Sequence, residues 1–472
     1  MKRFNLAALA ALAILLGGCA FTAPRDVPPP AELPQNFHNA DNQRVQAPEP
    51  WWQAFDDPQL DALIEEALQH NFELKQAVAR LQQAEALLKS ANASRLPILT
   101  AEGSATSGLQ QTVSGESEGE TRSVSLAAAF ELDLWGKLTA RSRGARLDQQ
   151  ASREEFKALL LGLTARVADA YYLVVEQRTQ LQLAEQNILA YQDSLQMVER
   201  RYRQGLVPAV DLYQARQTLA SARASHAAVS SSLTSAENAL AVLIGRYPGS
   251  ELTGALAELP PPPEAFPAGL PSEILTRRPD LRAALLKVQA HDSRRAAAIA
   301  DRFPSINLLG SYGSSRSTYT LPTIEGEFWN LVAGLTLPLI DGGRRRAEVN
   351  RQEALVDESL ARYRQAVLTA FQEVNNALAR NHNDELRIAH LEAAETSSAA
   401  SLRLAMERYR YGLNEYLQVI TAQVFHVQIQ QNLLAARRQL LSNRISLARA
   451  LGGEWLEALA DQHLAQKKDS AS

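Results

Sequence analysis

The sequence predicts a mainly helical chain made of two tandem copies of one unit, each copy carrying a pair of β-strands suited to a membrane barrel. Three observations predict it. Arg201–Ala215 (RYRQGLVPAVDLYQA) returns as Arg408–Ala422 (RYRYGLNEYLQVITA), and the same shift of 207 residues aligns Asn71-Phe-Glu-Leu74 with Arg278-Pro-Asp-Leu281, Arg95-Leu-Pro97 with Arg302-Phe-Pro304, and Gly245 with Gly452. Self-similarity at a fixed shift means one structural unit used twice. A long proline-free run holds apolar residues at alternating steps of three and four, the spacing of a coiled helix. After Pro97, and again after Pro304, the pattern switches to period two, which marks strands.

In chain order, Met1-Lys-Arg3, the apolar run Leu6–Leu16 and Gly17-Gly18 form a secretory signal over residues 1–18, too short to stay as a membrane span. Cys19 is the one cysteine of the chain and follows Leu-Gly-Gly, the arrangement of a bacterial lipobox whose cysteine is acylated after cleavage; the alternative is an ordinary thiol of the signal. Residues 19–58 then read as a lipid-anchored extension, since Pro24, Pro28-Pro-Pro30, Pro34, Pro48 and Pro50 favour extended chain over packed core.

The first repeat is predicted over residues 59–245. Leu60, Leu63, Ile64, Leu68, Leu74, Val78, Leu81 and Leu88 keep helical spacing, so one helix is expected to run to about Arg95 and to stop at Pro97. Val124, Leu126, Ala128, Phe130 and Leu132 alternate with Ser123, Ser125, Ala127, Ala129 and Glu131 in a strand with one apolar face. From about Ala140 to Gln204 a heptad seam runs through Leu160, Leu163, Val167, Val174, Leu181, Ile188, Leu195 and Val198, a helix of roughly 95 Å at 1.5 Å per residue. Gly205 and Pro208 break it, and Ala209–Leu243 must turn back.

A proline-rich linker, residues 246–268, precedes the second repeat at 269–455, where Ser305–Ser317 and Phe328–Ile340 supply the strands and Gly412 the turn; residues 456–472 read as a frayed charged tail. The loops Gln110–Thr121 and Ser317–Gly326 are expected to face outside. Strands with apolar and polar faces fit a membrane barrel, with a soluble β-sandwich as the alternative. Four strands cannot close a barrel, since eight is about the smallest number seen, so several chains must share one.

The chemistry of enzymes is missing from the sequence. There is no Gly-x-Ser-x-Gly, no phosphate-binding glycine loop with Lys and no His-Glu-x-x-His; His382 and His390, beside Asp384 and Glu385, read as solvated helix-surface residues rather than a metal site. A net charge of −4 leaves no electrostatic footprint for nucleic acid. Neither enzyme activity nor a cofactor is expected.

Cys19 in its lipobox, Trp51-Trp52 with Asp57-Pro58-Gln-Leu60, Pro97 and Pro304 at the helix-strand junctions, Asp341-Gly-Gly343, and the Tyr-x-x-Gly tips ending at Gly205 and Gly412 together resemble a TolC-family outer-membrane factor of the OprM/NodT-like lipoprotein branch, over about residues 51–455. The resemblance implies a homotrimeric duct in the cell outer membrane, with four strands per chain in one barrel and long coiled helices forming a periplasmic tunnel. It implies the exit duct of a tripartite efflux pump, passing drugs or other small toxic solutes, with a periplasmic adaptor and an inner-membrane transporter of the RND type as partners and covalent lipid on Cys19. Ala20, rather than Asp, implies delivery to the outer membrane. A type I secretion duct or a periplasmic coiled-coil adaptor lipoprotein are the competing readings. The resemblance also implies a periplasmic gate: Asp211 sits where an acid bonds the tyrosine at Tyr409, Asn414 replaces a tip arginine, and Gln418 and Thr421 replace a ring of aspartates. Glu415 is either a substitute for that ring or an adaptor contact.

Overall fold

A computed structural model describes residues 37, 50–112, 115–250, 258–267, 271–319, 323–453 and 455–469. Cys19, the signal segment and most of the extension and linker lie outside the described residues. A 3-10 turn (Trp51–Phe55) leads into α1 (Pro58–His70), α2 (Phe72–Ala93), β1 (Ile98–Thr112), β2 (Gly115–Leu132), α3 (Lys137–Arg203) and α4 (Ala209–Leu243). The second copy repeats the order as α5 (Pro271–Arg277), α6 (Pro279–Ala300), β3 (Ser305–Ser317), β4 (Ile324–Thr336), α7 (Arg344–Arg410) and α8 (Tyr416–Leu451), and α9 (Trp455–Asp469) follows. The chain forms two compact units, one containing Ala79–Glu154 and Leu281–Ala366, the other Ala31–Val78, Glu155–Asp280 and Val367–Ser472.

The first unit is built on one antiparallel sheet in the order β1-β2-β3-β4, so β1 and β4 are its edges. Register turns the period-two pattern into surfaces. Leu126 pairs with Ala101 and Tyr312, and Tyr312 with Trp329; Ala128 pairs with Leu99 and Gly310, and Gly310 with Leu331; Leu132 pairs with Ile306, and Ile306 with Leu335. These rows lie on one face, while the alternate rows, such as Ser104-Ser123-Ser315 and Thr100-Ala127-Ser311-Asn330, are mostly small or polar. Trp329 and Leu331 are 77% and 76% exposed, so the apolar face has no cover among the described residues. From Val124 to Leu132 it spans about 26 Å at about 3.3 Å per residue, close to the apolar band of about 25 Å on a membrane barrel.

The expected loop Gln110–Thr121 is instead mostly strand. β1 and β2 stay in register out to Thr112 and Gly115, and residues 113–114 lie outside the described chain. Backbone pairing continues past the apolar band, where polar side chains hide the alternation. In the second hairpin the ladder ends at Ile324 and Thr336, so β4 begins and ends four residues before the expected Phe328–Ile340.

The helix-strand junctions repeat bond for bond. Arg95 and Leu96 donate their N–H groups to the carbonyls of Asn92 and Ala93, as Arg302 and Phe303 do to Ile299 and Ala300, and Pro97 and Pro304 then send the chain into β1 and β3. Trp135 stacks on Phe303 at 5.1 Å and donates to the Pro304 carbonyl at 2.6 Å. The helices that leave the sheet are capped by aspartates. Asp133 accepts from the N–H groups of Leu138 and Thr139, and Asp341 from those of Gly343 and Arg345.

In the second unit two expectations fail. The single helix from Gln59 to Arg95 is broken at Asn71, whose Oδ1 accepts from Glu73 and Leu74 at 2.8 and 3.1 Å and whose Nδ2 donates to the Leu243 carbonyl at 2.8 Å. Apolar spacing runs through a one-residue break undisturbed, so periodicity could not reveal it. The second copy breaks at Arg278, which donates to the Ala450 carbonyl and pairs with Asp280 and Glu373. At the facing turns Gly245 and Gly452 have φ of +83° and +72°, and a Cβ on either would lie 2.8 Å from the carbonyl oxygen of His70 or Arg277. Different side chains thus serve one backbone geometry. The tail is not frayed either: in α9, Trp455, Leu456 and Ala460 are buried, Trp455 meets Trp52 edge-on at 5.0 Å, and Glu457 pairs with the buried Lys157.

Candidate functional site

Four helix ends of the second unit meet where both long helices turn. At each turn the local sequence fixes the geometry. Gly205 has φ +71° and donates to the Tyr202 carbonyl, while Leu206 donates to that of Arg201; Gly412 has φ +76° and donates to Tyr409, while Leu413 donates to Arg408. This double bond pattern closes a helix on a left-handed residue, which glycine adopts without cost. Pro208 and Glu415 then stand at the starts of α4 and α8.

Between the turns lies a small apolar core. Val198 of α3, Leu212 and Ala215 of α4, Ala405 and Tyr409 of α7, and Tyr416 and Val419 of α8 are buried together. Tyr409 and Tyr416 meet with ring centres 5.4 Å apart, and buried Gln423 donates to Ser194 at 3.1 Å. Arg201 binds the two copies to each other: its guanidinium lies 4.7 Å over the ring of Tyr409 and donates to the Tyr409 carbonyl.

The gate residues named from the sequence divide into those this cluster gathers and those it leaves outside. Tyr409 belongs to the cluster and the half-buried Asp211 stands near it, but the expected bond between them is absent, because the buried Tyr409 hydroxyl has no hydrogen-bond partner among the described residues. The arginine clamps the ring from its face and the backbone from its carbonyl, and the hydroxyl plays no part in that clamp. Glu415 is exposed and acts on Asp211 as a neighbouring like charge. Asn414 is half-buried, whereas Gln418 and Thr421 stand on the exposed side of α8, with the Thr421 hydroxyl donating to the Leu417 carbonyl at 2.8 Å. Arg201 opens the repeated motif, yet nothing in the sequence marks it as a site residue. It is an arginine of the first copy that has a tyrosine of the second as its partner, which no spacing within one copy can reveal.

Partial burial, then the negative charge of Glu415, push the Asp211 carboxyl above its ordinary range, and Arg201 partly opposes them. A raised carboxyl favours its protonated form in the packed tip. That stabilisation is fully present below about pH 3.9 and fades as pH rises through the raised value. The packed tip is therefore expected to tighten on acidification. Single-channel conductance should be lower at about pH 4.5 than at about pH 7.5, and Asp211→Asn should flatten the difference; an equal pH response in that variant would remove Asp211 from the account.

Among the described residues no group of three or more His, Cys, Asp or Glu side chains is arranged to hold a metal ion. Asp384 instead accepts from Asn443, and Glu385 from the buried Arg444.

Comparison with known proteins matches this architecture. The outer membrane efflux protein family matches residues 63–246 and 270–453, one match per repeat. The cation efflux system protein CusC of Escherichia coli O6:H1 is 32% identical over 94% of this chain and 97% of its own. The toluene efflux pump outer membrane protein TtgC of Pseudomonas putida is 30% identical over 96% of both chains. A solved structure of the outer-membrane channel OprN superposes with a TM-score of 0.85 at 27% identity, covering 92% of this chain and 100% of that one.

Proposed function

The chain belongs to the outer membrane efflux protein family and is an outer-membrane exit duct for efflux, and from that premise we propose that three copies share one twelve-stranded barrel whose helical tips open on the periplasmic side to an adaptor and an inner-membrane transporter. The observation that carries the trimer is the sheet: four strands, one continuous apolar face, and both edges unpaired among the described residues. No backbone edge is tolerated in hydrocarbon. Eight strands from two copies would fill with side chains, whereas twelve leave a bore. A periplasmic adaptor has no use for such a face. Protein purified in detergent should run as an SDS-resistant trimer that heating converts to monomer; a monomer before heating, at every detergent tested, would overturn the shared barrel.

Residues 59–245 and 269–455 are the two repeats, joined by a linker at 246–268, and the family matches at 63–246 and 270–453 support that division. The transporter is of the RND type, and the cargo is a small toxic solute. Cation and toluene efflux by the relatives support that breadth, and the cargo is selected upstream. Asp211, Tyr409, Asn414, Glu415, Gln418 and Thr421 surround the periplasmic gate, and Arg201 holds it packed. The hairpin ends of β1-β2 and β3-β4 face the exterior, and Gly205 and Gly412 lie in the periplasm.

Cys19 carries the lipid. Cys19→Ala is expected to eliminate metabolic labelling with palmitate while the trimer still forms, because the barrel holds the protein in the membrane; undiminished labelling would place the acyl chain elsewhere.

A further inference from the structure

We propose that the cleft between the first turns of α3 and α7 and the end of α6 binds a phosphate group that carries a neighbouring hydrogen-bond donor. The cleft has a volume of about 320 Å3 and is lined by Arg141, Arg294, Asp301, Arg344, Arg345, Glu348 and Gln352, with Ala145, Ala297 and Ala298 leaving the space open. All of it lies in the unit that contains the sheet.

The charges in this cleft do not balance. Arg294 is spent on Asp148. Arg345 lies 3.2 Å from Asp301 and 3.3 Å from Asp341, and Asp301 also receives Lys137 at 3.5 Å. Glu348 accepts from Arg351 at 2.7 and 2.8 Å and from Gln352 at 2.8 Å, and these bonds hold its carboxyl down to about 2. Arg141 and Arg344 are left in the same cleft with no acid partner among the described residues. The helix starts contribute nothing to an anion here, because Asp133 and Asp341 already cap them. Two guanidinium forks without a counter-charge match the planar, multiple acceptors of a phosphate.

Gln352 adds a second requirement. It is 7% exposed, its Nε2 is committed to Glu348, and its Oε1 is buried without a partner. An acceptor left without a donor in a buried wall is costly. A bare anion would not relieve it. A hydrogen phosphate, with its O–H, or an ethanolamine phosphate headgroup, with its ammonium, supplies both the negative oxygens for the arginines and a donor for Gln352. The strands end at Leu132 and Thr336, shortly before Arg141 and Arg344, so a lipid of the membrane is one source of that chemistry and free phosphate the other.

The test uses the full assembled protein in dodecyl maltoside, titrated calorimetrically with inorganic phosphate, with sulfate, and with dihexanoyl phosphatidylethanolamine below its micelle concentration. Phosphate or the lipid is expected to bind at least about tenfold more tightly than sulfate, which lacks a donor. Arg141→Gln combined with Arg344→Gln should weaken binding by about tenfold or more, Gln352→Leu should erase the preference over sulfate, and Arg346→Gln, an exposed neighbour outside the cleft, should change nothing. Binding of the lipid alone identifies a headgroup site, and binding of both identifies free phosphate as sufficient. If the double variant fails to assemble, Arg141→Gln alone serves in its place. Absence of binding by the parent protein, equal affinity for sulfate, or unchanged binding in the arginine variant overturns the proposal.

Discussion

Leu331→Arg is expected to prevent stable membrane assembly, whereas Asn330→Arg, one residue earlier, is expected to assemble and only alter conduction. Leu331 lies in the row of Leu99, Ala128 and Gly310, the middle of the apolar stretch from Val124 to Leu132, and is 76% exposed. An arginine at the midplane of the lipid face of a barrel costs about 2–4 kcal/mol per copy. Asn330 pairs with Ser311 on the opposite, polar face, where a guanidinium meets water. Heat-modifiable mobility of outer-membrane extracts reads the result. Assembly of both variants to the parental level would mean that the faces have been assigned the wrong way round.

At the tip, Arg201→Ala is expected to raise single-channel conductance several-fold, and Tyr409→Ala to do so more strongly, while Tyr409→Phe leaves it unchanged. Tyr409 is 2% exposed in the core that joins both copies, and removing such an aromatic ring costs about 3–5 kcal/mol. Arg201 clamps its ring and its carbonyl. The hydroxyl, by contrast, is buried without a partner, so deleting it removes an unsatisfied group and no bond. Planar-bilayer recordings separate the three. An open channel in Tyr409→Phe would restore the direct Asp211–Tyr409 latch that the resemblance implied.

These contrasts show which features a sequence carries. The repeat, the strands at Leu126–Leu132 and the glycine turns were legible because each is written in local periodicity or in one residue type that the backbone demands. The helix break at Asn71 was not, since a side chain that caps one helix and reaches the Leu243 carbonyl leaves the apolar spacing intact. Strand ends beyond the apolar band carry no such signal for a related reason: Glu116–Arg122 pair in the ladder with polar side chains that show no apolar alternation. The docked helix after Trp455 was hidden by its charge, because Lys157, its partner for Glu457, lies 300 residues earlier. At the tip, the likeness pairs Asp211 with Tyr409, whereas the side chain that holds Tyr409 is Arg201, which belongs to the other copy and meets it only in three dimensions.

The open edges of the sheet have a consequence for inheritance. With β1 and β4 unpaired, no single copy can enter the bilayer by itself, so insertion and association are one event and subunits cannot be exchanged afterwards. Copies made together are therefore sealed together. In a cell that synthesises parental and defective chains in equal amounts, random assembly of the proposed three-copy barrel leaves only about one duct in eight free of the defective chain. A tip that no longer closes in one subunit would leak through the whole pore, so gate lesions of this protein should behave as dominant, whereas lesions that block insertion should be silent beside a functional copy.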